Sequence, residues 1–151
     1  LETSLRTALD RDEIRLVYQP KLSLRSGRLT GVEALMRWRS GKLGHVPPNR
    51  FVPLAEETGL IVPLGEWALR RAVSQARSWK DAGLGDLRIA VNVSAVQLSR
   101  GGFPELVSLV LDGAPGRLST NCARSAYASR STISAPATPR SAICAGWPST
   151  P

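Results

Sequence analysis

The stretch that decides the fold of this chain reads LTGVEALMRW over residues 29–38. Its β-branched, apolar and aromatic residues favour extended backbone, and it follows the turn-like run Arg25-Ser26-Gly27-Arg28. Before that turn, Ile14-Arg15-Leu16-Val17-Tyr18 reads as another strand that enters Gln19-Pro20. Two strand-like runs joined by a turn predict a hairpin-like start.

Further along the chain, the pattern predicts a helix over residues 63–82. Proline is favoured at the first helical position, which is where Pro63 falls, and Gly83 is a typical C-terminal stop. Between these two residues, apolar side chains recur at helical spacing: Leu64, Ala68, Ala72, Ala76 and Trp79.

A second strand and helix are predicted directly afterwards. Leu87-Arg88-Ile89-Ala90-Val91 reads as a short strand, and Ser94 followed by Gln97 forms a capping-box pattern that begins another helix. Strands that alternate with helices predict a parallel α/β architecture. In barrels of this kind, functional sites gather at the C-terminal ends of the strands.

Four polar residues fall at or near such strand ends: Gln19, Glu33, Arg37 and Asn92. Each also has an ordinary structural explanation. Gln19 fits a turn cap, and Asn92 fits a turn former. Glu33 fits a solvent-facing strand residue, and Arg37 fits a partner in a surface ion pair. Taken singly, none of them identifies a site.

Taken together, four segments resemble the EAL domain family. The run Glu33-Ala34-Leu35-Met36-Arg37-Trp38 closely resembles the family's Glu-Ala-Leu-x-Arg-Trp signature. Residues 17–21 resemble its opening strand, residues 51–61 the segment after the signature, and residues 91–97 its Asn-Val-Ser-x-x-Gln strand end. The segments occur in the family's order, and they cover the N-terminal half of a barrel that typically needs about 250 residues.

The resemblance implies a fold, a reaction and roles for individual residues. EAL domains are modified (β/α)8 barrels that use Mg²⁺ or Mn²⁺ to hydrolyse cyclic di-GMP to the linear dinucleotide. By resemblance, Glu33 and Asn92 are metal ligands, since hard cations prefer oxygen donors. Arg37 clamps a phosphate through its planar guanidinium, while Gln19 and the backbone at Leu35 orient the substrate. Family members often carry a sensory or GGDEF domain upstream, which makes such a domain an expected partner.

The composition changes near Gly113, so the chain is predicted to divide into residues 1–112, half of an EAL domain, and a low-complexity tail over 113–151. From Arg117 onward the aliphatic residues larger than Ala are Leu118, Ile133 and Ile143. So few apolar residues do not offset the entropy cost of ordering. The tail is therefore predicted to be disordered.

The tail also reads as an out-of-frame translation. Codons can be chosen for residues 130–139 that also encode a second peptide in a shifted frame. Read from the third base of the Arg130 codon, they give Leu-Asp-Asp-Phe-Gly-Thr-Gly-Tyr-Ser. This is the Asp-Asp-Phe-Gly-Thr-Gly motif that the family carries after its Asn-Val-Ser strand. We interpret the hidden motif as the result of a frameshift near residues 113–120.

Charge and cysteine content exclude several other functions. The net charge is +8, but half of that excess comes from four tail arginines with no aromatic interleaving, so no nucleic-acid partner is expected. Cys122 and Cys144 lack zinc-like spacing. No apolar run is long enough to cross a membrane, so no membrane contact and a cytoplasmic location are expected.

The activity of the chain is predicted separately from its family. No Asp or Glu follows Asp112, so the tail supplies none of the remaining carboxylates of a two-metal site. With two ligands, Glu33 and Asn92, the chain is expected to hold Mg²⁺ or Mn²⁺ only weakly. The chain is therefore predicted to be an inactive fragment of a cyclic di-GMP phosphodiesterase. The alternative is a degenerate EAL module that binds or regulates without catalysis.

Overall fold

The structure is a computed structural model that describes residues 1–85, 87–112, 119–121 and 140–146. Its first two strands form a long antiparallel hairpin. Strand β1 (Ile14–Leu22) pairs with β2 (Leu29–Ser40) from Ile14 opposite Trp38 to Leu22 opposite Leu29. The predicted hairpin is confirmed. Strand β1 extends past its predicted end because the pairing continues through Gln19-Pro20 and Lys21. Strand β2 extends to Ser40 because Arg39 and Ser40 pair with His45 and Gly44.

The other elements surround this hairpin in chain order. A short helix precedes it, a short strand pairs with β2, and two helices then lie on each side of a further strand in the chain order. They are α1 (Glu2–Arg6), β3 (Gly44–Val46), α2 (Pro48–Thr58), α3 (Ile61–Asp81), β4 (Ile89–Ser94), α4 (Ala95–Ser99), α5 (Phe103–Asp112), β5 (Ser119–Asn121) and β6 (Arg140–Gly146).

Strands β2 and β4 are parallel neighbours, as a parallel α/β architecture requires. Val32 lies opposite Ile89 and Glu33 opposite Ala90, and the crossover between the strands contains α2 and α3. The chain therefore turns from an antiparallel hairpin into a parallel unit at β2. The C-terminal ends of β2 and β4 lie at the same edge of the sheet.

Helix α3 covers one face of the sheet with a stripe of small and apolar residues. Its buried positions are Ile61, Leu64, Gly65, Ala68, Leu69, Ala72 and Val73. The helix begins two residues before the predicted start, which places Pro63 at the third helical position. Proline is tolerated there because amide groups of the first turn have no intrahelical acceptor.

Two apolar clusters hold the sheet against the helices. In one, Trp38 and Phe51 are fully buried and meet edge to face, with ring centroids 5.8 Å apart. In the other, Ala72 packs against the sheet, and Tyr18 meets Trp79 edge to face at 4.8 Å. Burial raises the pKa of the Tyr18 hydroxyl. These contacts fix the hairpin relative to α2 and α3.

Ser94 ends β4 and begins α4 through the predicted capping box. Its side-chain oxygen accepts from the Val96 amide, and its own amide donates to the Gln97 side chain. The strand covers Ile89–Ser94 rather than Leu87–Val91, because pairing with β2 begins at Ile89.

Two tail segments are strands, which the composition did not predict. Strand β6 pairs antiparallel with β4, and β5 pairs antiparallel with β6. Pairing along a free strand edge uses backbone amide and carbonyl groups, which any sequence without proline supplies. The predicted disorder does not describe these two segments, and the rest of the tail lies outside the described residues.

Within the described part of the chain, no helix has the length and apolar character needed to cross a membrane.

Candidate functional site

Side chains of β2 alternate between a covered face and an open face. Val32, Ala34 and Trp38 point toward the helices and are buried. Residues two apart share a face of a strand, so Glu33, Leu35 and Arg37 lie on the other face, where each is half-buried. The three β2 residues named by the signature therefore share one surface. Glu33 lies inside the strand rather than at its end.

The side chains of Glu33 and Asn92 are in direct contact. Asn92 Nδ2 donates to Glu33 Oε1 over 2.9 Å. Glu33 lies opposite Ala90 in the parallel pair, so Asn92, two residues further along β4, faces the same side. The structure thus brings together the two residues predicted as metal ligands.

Lys21 joins this pair from β1. Its Nζ lies 3.0 Å from Glu33 Oε2, so the two carboxylate oxygens of Glu33 have different partners. Sequence reasoning assigned no role to Lys21. Strand alternation was the available signal, because Lys21 is two residues from Gln19 and shares its face.

Gln19 lies beside Glu33 but outside the cavity described next. The two residues are opposite each other in the β1–β2 register, so their side chains share a face. Gln19 is exposed. Its side chain is therefore available on the β1 side of Glu33, one strand away from Asn92.

A cavity of about 180 Å³ opens at the C-terminal ends of β2 and β4. Leu35, Arg37 and Asn92 line it, together with Glu56 and Ser94. Arg37 Nη1 donates to the Met36 carbonyl over 2.9 Å, which holds the guanidinium at the rim. Leu35 and Arg37, both predicted to contact substrate, therefore meet the predicted ligand Asn92 at one opening.

Ser94 links the end of β4 to α2. Its hydroxyl donates to Glu56 Oε1 over 2.8 Å while accepting from the Val96 amide. Sequence reasoning used Ser94 only as a helix cap and gave no role to Glu56. A contact between residues 38 positions apart has no signature in local periodicity.

The donor set fits an oxygen-preferring divalent cation. Glu33 offers a carboxylate, and Asn92 retains its amide oxygen after donating from Nδ2. Mg²⁺ is often bound through one or two protein carboxylates while it keeps several waters. Among the described residues, no group of three or more His, Cys, Asp or Glu side chains is placed to hold a metal.

Comparison with known proteins identifies the fold. The model of the EAL domain matches residues 2–127. The chain belongs to the EAL domain family. Two curated relatives are 48% identical to it: the bifunctional diguanylate cyclase/cyclic di-GMP phosphodiesterase MucR of Pseudomonas aeruginosa over 103 residues, and the cyclic di-GMP phosphodiesterase PdeR of Escherichia coli over 99 residues. The matches cover 68% and 66% of this EAL chain, and 15% of each relative.

Solved structures give the same family. The PaMucR phosphodiesterase in complex with c-di-GMP superimposes with a TM-score of 0.70 at 46% identity, over 74% of this chain and 45% of that one. The EAL enzyme Bd1971, in its cAMP and cyclic-di-GMP bound form, gives 0.68 at 28% identity, over 74% and 32%. The predicted truncated EAL barrel is confirmed, and this chain spans less than half of either structure. EAL phosphodiesterases depend on a divalent metal.

Proposed function

We propose that residues 1–112 of this EAL chain form one wall of a cyclic di-GMP phosphodiesterase site. The observation that carries the proposal is the contact between Glu33 and Asn92, beside a cavity that Arg37 also lines. It brings carboxylate, amide and guanidinium groups from β2 and β4 to one face of the sheet. The named activities of MucR and PdeR support the choice of substrate.

Glu33 and Asn92 would hold Mg²⁺ or Mn²⁺ through their oxygens. When bound, the cation supplies positive charge that offsets the negative charge of the phosphodiester. Lys21 supplies a further positive charge against Glu33 Oε2. A carboxylate between an amide donor and an ammonium group is held in one orientation before any ligand arrives.

Arg37, Leu35 and Gln19 would bind and orient the nucleotide. Arg37 donates one N–H group to the Met36 carbonyl, and a guanidinium has four more, in a planar fork that matches a phosphate. The backbone at Leu35 borders the same cavity. Gln19, opposite Glu33 on β1, offers an amide to a ligand that extends across the hairpin.

Binding without hydrolysis is the second candidate for the 151-residue polypeptide. One observation favours it: the described residues contain no cluster of three metal-binding side chains. A site with one carboxylate and one amide holds a dication but does not match the charge of a two-metal centre. The polypeptide would then bind cyclic di-GMP and leave it intact.

A second domain is the proposed partner of this EAL unit. MucR combines diguanylate cyclase and phosphodiesterase activities in one chain, and the match covers 15% of it. A GGDEF or sensory domain upstream of Leu1 fits that organisation. The cytoplasmic location and the frameshifted tail stay predictions.

Equilibrium binding of cyclic di-GMP in the presence of Mg²⁺ tests the proposal. Arg37→Ala should weaken binding about tenfold, the loss typical of a charged hydrogen bond to a ligand. Arg28→Ala is the matched control, because Arg28 is exposed in the hairpin turn at the opposite end of β2. Equal binding by both variants would contradict the assignment of Arg37.

A further inference from the structure

Glu56 is a second carboxylate that the structure places at the site, and neither the sequence patterns nor the family resemblance assigned it a role. It lies on α2, it is half-buried, and it lines the same cavity as Arg37 and Asn92. Its Oε1 accepts from Ser94 Oγ over 2.8 Å. Its Oε2 has no hydrogen-bond or ion-pair partner among the described residues.

The partner of Glu56 controls the end of β4. Ser94 is buried, and its hydroxyl accepts from the Val96 amide while donating to Glu56. The Ser94 amide is held in turn by Gln97 Oε1 over 3.1 Å. Each polar group at this turn therefore has a defined partner, and Glu56 anchors the turn to α2.

Asn92 lies two residues before this anchor on the same strand. Its side chain must keep one orientation to donate to Glu33 while presenting its oxygen to a cation. A one-residue slip or a small rotation at Ser94 changes the direction in which the Asn92 side chain points, because strand side chains alternate between faces. Fixing the position of Ser94 therefore fixes the orientation of the Asn92 side chain.

Helix α3 also holds the turn that follows β4. Gln97 is buried, and its side chain crosses α3 at Gly65, where a Cβ atom would collide with Gln97 Nε2. The turn after β4 is therefore fixed to α2 through Glu56 and to α3 through Gln97. Glu56, Ser94 and Gln97 all line the cavity, and Glu56 is the carboxylate among them.

We propose that Glu56 is a positioning residue that orients the metal ligand Asn92 through its hydrogen bond to Ser94. The inference rests on the proposed function, because the orientation matters for Mg²⁺ and cyclic di-GMP. Its consequence is specific to hydrogen bonding. A side chain at position 56 that accepts from Ser94 preserves the site, and an apolar one of the same size does not.

The experiment uses selectively labelled asparagine in the 151-residue polypeptide. The sequence contains three asparagines, Asn49, Asn92 and Asn121, so the Asn92 side-chain amide is readily assigned by NMR. Its shift is followed in Glu56→Leu, in Glu56→Gln, which retains an acceptor, and in the control Glu57→Gln. Glu57 is the exposed neighbour on the same helix. Asn49 serves as the internal reference.

Glu56→Leu should move the Asn92 amide resonance. It should also raise the dissociation constant for Mg²⁺, titrated alone, about tenfold, because a metal ligand that has lost its orienting hydrogen bonds binds more weakly. Glu56→Gln and Glu57→Gln should leave both unchanged. The inference is overturned if Glu56→Leu leaves the Asn92 resonance in place, or if Glu56→Gln is as damaging as Glu56→Leu. Thermal melting verifies that each variant is folded. Should Glu56→Leu not fold, Ser94→Ala, which removes the donor, must reproduce the Asn92 shift for the inference to stand.

A separate titration with cyclic di-GMP distinguishes this inference from the proposed function. If the wild-type polypeptide binds Mg²⁺ and responds to Glu56→Leu but does not bind cyclic di-GMP, the proposed function fails and the positioning role stands. If the wild type binds cyclic di-GMP and Glu56→Leu binds it and Mg²⁺ equally well, the positioning role fails alone.

Discussion

Asn92 donates from its side-chain amide to the Glu33 carboxylate over 2.9 Å, across 59 residues of sequence. The contact forms because β2 and β4 are parallel neighbours and both residues face the open side of the sheet. Two oxygen-bearing side chains are thereby paired before any cation is present. Several consequences of this pairing can be measured.

Replacing the amide donor with a carboxylate should make stability depend on Mg²⁺. In Asn92→Asp, two like charges face each other and the hydrogen bond is lost, so the free energy of unfolding should fall by about 1–3 kcal/mol without metal. A cation that binds the folded state restores stability by mass action. Thermal melting with and without Mg²⁺ measures both effects. The exposed Asn49→Asp is the control, and a metal-independent melting temperature in Asn92→Asp would contradict the account.

Gly65→Ala should destabilise the fold although alanine favours helices. The added Cβ collides with Gln97 Nε2, and overpacking of this kind costs about 1–3 kcal/mol. Urea denaturation measures the loss. At Gly41 an added Cβ meets Glu13 Oε1 at 3.4 Å, an ordinary contact, so Gly41→Ala is the comparison. Equal stability of Gly65→Ala and wild type would show that Gln97 does not cross α3 there.

Glu13 should make stability depend on pH in the acid range. Its carboxylate accepts hydrogen bonds from the Gly41 amide and from Trp38 Nε1, both at 3.0 Å. These two bonds, of which the one from Gly41 has the larger effect, hold the pKa of Glu13 below its ordinary value of 4.5. A lowered folded-state pKa adds stability above about pH 4.5 that is lost as pH falls through the folded value.

Comparison of Glu13→Gln with wild type isolates this contribution. Wild type should be the more stable above pH 4.5, and the difference should shrink as the pH is lowered. Urea denaturation across pH 2.5–7 measures it, with the exposed Glu105→Gln as control. A difference that stays constant with pH would mean that the Glu13 charge is not the cause.

The gene should contain the hidden family motif in a shifted frame. Third bases at the codons for Ser131, Thr132 and Ile133 must allow Asp-Asp-Phe when the frame moves by one position. Sequencing across codons 110–140 decides the matter. Third bases that exclude Asp-Asp-Phe would refute the frameshift.

Much of the fold was predictable because it follows from local patterns. The hairpin came from a turn between two apolar runs, α3 from apolar spacing, and α4 from the pairing of Ser94 with Gln97. The predicted ends of the elements were less accurate. Pro63 suggested that the helix begins at residue 63, but α3 begins at Ile61, because proline is also tolerated at the third position of a helix. Strand β6 was missed since edge pairing depends on backbone groups.

The site was predictable where a residue belongs to a motif and unpredictable where it acts across the fold. Glu33 and Asn92 were named before their contact was known. Lys21 and Glu56 were not, because their partners lie 12 and 38 residues away and no periodicity connects them. Such contacts are set by strand register and helix packing, which the three-dimensional structure supplies.

Product analysis of cyclic di-GMP incubated with the 151-residue polypeptide and Mg²⁺ or Mn²⁺ tests the central claim most directly. The account predicts that the nucleotide is recovered intact, since the predicted metal ligands are one carboxylate, Glu33, and one amide, Asn92, and no Asp or Glu follows Asp112 to complete a two-metal site. Formation of the linear dinucleotide by the wild type, and its loss in Glu33→Ala, would contradict it.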